Sequence, residues 1–322
     1  MLEIRRSTSA GLERPAAPSA GCWLHVTQPT AADLTVVREF GVPASLLDHV
    51  ADIDERPRVA HVGECVLVVM NYPLRRNELT GPPWRTLPLS VLLTPQGIVT
   101  LSQGTTSFLQ PLLDGEVQGL STVRGTEFVL RVFWQLADAC LRGLREINVG
   151  VEGLESELKR SLRNEEVLGL LDFQKSLTFF ATGLKANELV LERLQRVPAL
   201  RWADQDQELL DDVRVELRQA IEMVDIADRV LSDMMDAFAS IVSNNLNSVM
   251  KVLTSVTILL AVPTLIASVY GMNVGLPGAH DPLAFAGIVA FSVAVCGGLL
   301  FVFRVFERVS YALILTVQEP VS

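Results

Sequence analysis

The chain has 322 residues, room for about two domains, and a formal net charge of −10 from 27 Lys and Arg against 37 Asp and Glu. Hydrophobic residues make up 49% and charged ones 20%, so the apolar side chains must be concentrated in one part of the chain. Four dispersed cysteines, Cys22, Cys65, Cys140 and Cys296, form no CxxC pair, which excludes a zinc ribbon or disulfide framework and fits a reduced cytosolic setting.

Residues 1–21, MLEIRRSTSAGLERPAAPSAG, hold no apolar stretch of signal-peptide length and are rich in Ala, Pro, Ser and Arg, so they read as a flexible tail. Residues 22–124 mix β-rich runs (ECVLVVMNY, LPLSVLLT, GIVTLS) with helical pieces such as TAADLTVVREFG, where Thr30 can cap and Gly41 can stop. This predicts a small α/β unit. Over 125–203 the pattern is helical with few breakers, and Asn164 in NEEV can open a second helix. Two long antiparallel helices are expected there.

Residues 204–269 contain one apolar stripe at spacings of three and four, from Leu210, Val213 and Leu217 through Leu231 and Val242 to Leu253. No Pro or Gly stands between Ala203 and Lys251, which predicts one helix, on the order of 100 Å long, that runs from a stalk into a membrane span. Such a rod would carry motion from its cytoplasmic end to the span. Residues 204–236 hold eleven Asp or Glu against three Arg; this acidity is either a solvated helix face or a carboxylate surface that senses divalent cations.

No charged residue occurs from Val252 to Ala279 or from Pro282 to Phe303, and each run is long enough to cross hydrocarbon as a helix. Lys251 precedes the first span and Arg304 and Arg308 follow the second, while the connection 270–282 has no Lys or Arg, which places both termini in the cytoplasm. Within the first span Pro263 frees a carbonyl. Asn247, Met250, Leu253, Thr257, Ala261, Thr264 and Ser268 recur every three or four residues along one face. That face reads either as close helix packing or as the wall of a narrow pore. The second span, 283–303, has no comparable stripe and is expected to face lipid, with 304–322 as a cytoplasmic tail.

GxxxxGK[ST], GxGxxG and HExxH are absent, and His25, His49, His61 and His280 are scattered. ATP-driven transport by this chain alone is not expected. The pair Asp52 and Asp54 reads as a polar loop, and no nucleophile, base and orienting group can be nominated together, so the chain is not expected to be an enzyme.

Tyr270, Gly271, Met272 and Asn273 spell YGMN at the outer end of the first of two C-terminal spans. This resembles the signature of CorA-type divalent cation transporters. SVMKVLT at 248–254, PTLIAS at 263–268 and DERPRVAHVGECVLVVM also resemble that family, so the likeness covers nearly the whole chain from about residue 22. It implies an α+β cytoplasmic domain, a long helical stalk and two C-terminal transmembrane helices, assembled as a funnel-shaped homopentamer in the inner membrane.

By the same resemblance, Gly271, Met272 and Asn273 would form the selectivity filter, with Gly271 permitting a tight turn. The amide of Asn273 would contact a hydrated cation. The seven residues from Asn247 to Ser268 would line the pore, Met250 and Leu253 forming an apolar constriction. Asp212 in LLDDV would belong to a regulatory cation site between subunits. The implied cargo and regulator is Mg²⁺ or another divalent cation; lipid, cations and further copies of the chain are the implied partners, with no organic cofactor and no nucleic acid.

The loop after the signature holds a single acid, Asp281, and the tail two arginines, where many members carry an early acid and a lysine cluster. Zn²⁺, Co²⁺ or Ni²⁺ therefore remain open as substrates. A proton-coupled zinc carrier and a non-conducting membrane scaffold or sensor also remain open.

Overall fold

The structure is a computed structural model that describes residues 1–9, 11–50, 52–76, 78, 80–117, 119–160, 164–272 and 283–317. The chain divides into two units, Met1–Asp236 and Ala237–Ser322.

The first unit is built on a seven-stranded sheet. Its strands are β1 (Leu2–Thr8), β2 (Gly11–Glu13), β3 (Cys22–Thr27), β4 (Arg58–Val62), β5 (Cys65–Arg75), β6 (Trp84–Thr94) and β7 (Gly97–Ser102), in the order β2-β1-β3-β7-β6-β5-β4. The β3–β7 pairing is parallel and the others are antiparallel. The three runs read as β-rich are β5, β6 and β7.

Alternation along the strands sends neighbouring side chains to opposite faces. Cys22, Leu24 and Val26 of β3 join a buried cluster with Val37, Phe40 and Leu46 from α1 (Ala31–Glu39), α2 (Ala44–Val50) and the turn between them. Trp23, on the other face, meets Phe128 edge-on at 4.8 Å. Phe128 belongs to α4 (Gly125–Arg160), which with α5 (Asn164–Leu194) covers that second face. A short α3 (Gln110–Leu113) precedes them. Thr30 caps α1 as expected: its hydroxyl accepts from the Asp33 amide at 3.2 Å and the Asp33 carboxylate accepts from the Thr30 amide at 3.0 Å. Gly41 follows with φ +87°, a left-handed end that favours glycine.

The amino-terminal segment is not a loose tail. Residues 2–8 form β1, which pairs with β3 from Leu2↔Val26 to Arg6↔Cys22. Leu2 and Ile4 pack on the α1–α2 side of the sheet, while Arg5, only 3% exposed, turns to the other face and donates from Nε to the Leu113 carbonyl at 3.0 Å. Composition hid this strand because an arginine occupies an inward position.

α6 runs from Asp204 to Tyr270 without interruption and carries Pro263 inside it. Within the first unit its buried face is Leu210, Val213, Leu217, Ala220, Val224 and Leu231. Asp225 pairs with Lys185 of α5 at 2.9 Å, and Ser232 accepts from Gln174 at 3.0 Å.

The second unit contains the rest of α6 and α7 (Ala284–Val317). Helix continues past Arg304 to Val317, so the residues read as a separate tail begin as an extension of the second span. The two helices are long and apolar enough to cross a membrane.

Candidate ion pathway

The seven residues singled out on the first span lie on α6, and all are exposed in the single chain, Met250 by 56% and Leu253 by 58%. At 100° per residue they fall within about a third of the helix circumference. Around them, every residue from Ala239 to Thr254 is exposed, including Ile241, Val242, Leu246 and Val249. The apolar residues of this stretch cover about half of the helix circumference, with Ser243, Asn244, Asn247, Ser248 and Lys251 on the other half, so an apolar face stands open for other helices or lipid to cover.

Two of the three hydroxyls on this face are committed in one direction. Thr257 Oγ1 donates to the Leu253 carbonyl at 2.8 Å and Thr264 Oγ1 to the Leu260 carbonyl at 2.7 Å. Each proton is spent on the helix's own backbone, which leaves the oxygen lone pairs as acceptors. Water bound to a cation points its hydrogens outward, so these two acceptor oxygens suit an ion that keeps its hydration shell.

At the end of α6, the Gly271 amide donates to Ala267 O at 2.9 Å and the Met272 amide to Val269 O at 3.3 Å. Gly271 does not adopt a left-handed φ. A Cβ at that position would lie 3.4 Å from the Ala267 carbonyl oxygen, at the limit of ordinary contact. Helix α6 ends at Tyr270, and Gly271 follows as a turn and Met272 as a bend, so the chain does leave the helix at Gly271, without a left-handed φ. Asn273 and the loop with Asp281 lie outside the described residues.

Asp212 stands exposed on α6, turned away from the buried face formed by Leu210, Val213 and Leu217. Among the described residues no three His, Cys, Asp or Glu side chains gather to hold a metal. Part of the acidic run is internally paired: Asp206, 2% exposed, accepts from Arg124 at 2.5 Å, and Asp211 pairs with Arg214 at 3.3 Å.

Sequence reasoning missed the cluster around Arg124, which stands beside the start of α4 and binds Glu127 at 2.9 Å as well as Asp206 at the start of α6. Nothing in the acidic run distinguishes Asp206 from its exposed neighbours. The thiol of Cys296 was also missed; it donates to the Leu259 carbonyl of α6 at 3.6 Å.

An α/β domain joined through long helices to two apolar, membrane-length helices, the first bearing a polar face, defines a two-span membrane protein. Residues 19–304 match the family described as CorA-like Mg2+ transporter protein, and the chain belongs to that family. The chain is 27% identical over 288 residues to the cobalt/magnesium transport protein CorA of Methanocaldococcus jannaschii, covering 88% of this chain and 89% of that one. It is 24% identical over 267 residues to the protein of the same description from Thermotoga maritima, covering 79% and 74%. The complete structure of the Methanocaldococcus jannaschii CorA magnesium transporter superposes with a TM-score of 0.81 at 24% identity, covering 94% of this chain and 97% of that one. The family is one of transporters, so the chain is a transport protein and not an enzyme.

Proposed function

We propose that this chain conducts a hydrated divalent cation, Mg²⁺ or Co²⁺, inward along the membrane potential, through a path built by the α6 helices of five copies. The observation that carries the reading is the face of α6 from Asn247 to Ser268, where polar side chains alternate with apolar ones and the Thr257 and Thr264 oxygens are left as acceptors. The relatives described as cobalt/magnesium transport proteins support the choice of ion. Mg²⁺ gives up water reluctantly, so oxygen acceptors that bind its water shell can select it without stripping it.

In this reading Gly271, Met272 and Asn273 form the outer filter, with the Asn273 amide oxygens holding the aquo ion. Met250 and Leu253 form an apolar constriction that closes the path by dewetting. Asp212 contributes to a cytosolic cation site between copies; when the ion leaves, like charges push the copies apart. Both termini lie in the cytoplasm, consistent with Lys251, Arg304 and Arg308 flanking the spans on one side.

The test is Asn273→Ala in protein reconstituted into liposomes. Influx should be lost while native mass spectrometry still reports the assembled oligomer. Normal influx in this variant would remove Asn273 from the filter.

A further inference from the structure

Pro263 stands within α6 and has no amide proton, so the carbonyl of Leu259, four residues earlier, lacks its helical donor. In hydrocarbon no water is at hand to replace it, and a neighbouring helix must do so. α7 supplies the replacement: Cys296 Sγ lies 3.6 Å from the Leu259 oxygen, within reach of a thiol donor. Pro263, Ser292, Cys296 and Gly297 line one groove between the two helices of this unit, with Gly297 leaving the approach open. Cys296 is also the one thiol in the second unit; Cys22, Cys65 and Cys140 are buried in the first.

We propose that Cys296 is a positioning residue of the ion path, whose thiol takes the place of the amide proton that Pro263 lacks and so fastens the weakened turn of α6 to α7. Three of the residues assigned to the path, Ala261, Thr264 and Ser268, lie within five positions of Pro263. Where that turn sits therefore decides where they point. The inference rests on the reading of α6 as the wall of the path, but the hydrogen bond itself is open to a test that needs no transport.

That test is infrared difference spectroscopy of the full-length protein in lipid, wild type minus Cys296→Ala, in the S–H stretching region where other protein groups do not absorb. The expected band is lowered in frequency by donation to a carbonyl, and in the Pro263→Ala background it moves toward the free-thiol position, because residue 263 now supplies an amide to Leu259. A free-thiol band in the wild type, or the same band in both backgrounds, would overturn the proposal.

Cation influx into liposomes gives the functional arm. Cys296→Ala should change influx by about threefold, the weight of one interhelical hydrogen bond in a membrane. Cys296→Ser should restore it, and on Pro263→Ala the Cys296→Ala change should have no further effect. An equal effect of Cys296→Ala in both backgrounds would sink the positioning role. If the wild type moves no cation, the transport reading fails while the infrared result still decides the bond.

Discussion

Thr257 and Thr264 show how a side chain is committed by its own backbone before any ion arrives. With the hydroxyl proton held by a carbonyl one turn back, only lone pairs remain to face a cation's water. Thr264→Val keeps the shape and deletes the acceptor. At about 1 kcal/mol for a net hydrogen bond, the variant should conduct about fivefold more slowly, measured as dye-reported influx.

His25 makes a second prediction at this scale. Its Nδ1 meets Thr100 and its Nε2 meets Thr106, each at 2.8 Å, inside the sheet's α4 face. Burial pushes its pKa from 6.5 down to about 4, partly opposed by the Glu3 carboxylate. Between those values the unfolded chain binds a proton that the folded chain refuses, so stability falls as pH drops from about 6.5 to about 4, by up to about 3 kcal/mol. Melting of the purified protein across that window should show the loss, and His25→Gln should flatten it. The Thr30 cap and the stripe from Asn247 to Ser268 were legible in the sequence, because both depend on spacing along one helix. The bond from Cys296 to Leu259 was not, since it joins residues 37 apart through a proline's missing donor.

At the scale of elements, the start of α4 and the start of α6 are tied by Arg124, which serves buried Glu127 and Asp206 together. Removing the guanidinium leaves two buried carboxylates short of a partner, although Arg124 itself is 37% exposed and so partly screened. Arg124→Met should cost about 2 kcal/mol, read as a lowered midpoint in chemical denaturation; an unchanged midpoint would show that the pairing adds nothing. The sheet strands β5, β6 and β7 and the long helix α6 were readable from periodicity and from the absence of breakers. β1 was not, since LEIRRST places a buried arginine where alternation leads one to expect an apolar residue, and its hydrogen bonds to Leu113 and Glu3 appear only once the chain has folded.

For the whole molecule, the exposed stretch from Ala239 to Thr254 is the telling feature, because a lone chain leaves Leu246, Val249, Met250 and Leu253 each more than half exposed. Five copies that share these faces would bury them around an axis. Native mass spectrometry should report a pentamer, and a stable monomer or tetramer would contradict the shared path. The central claim is conduction of a hydrated divalent cation driven by potential alone. Its most direct test is the purified protein in liposomes under an inside-negative potential, with Mg²⁺ and Zn²⁺ followed by selective dyes, with and without a pH gradient. Mg²⁺ influx that ignores the pH gradient is the predicted result; Zn²⁺ movement that requires the gradient, with Mg²⁺ excluded, would contradict it.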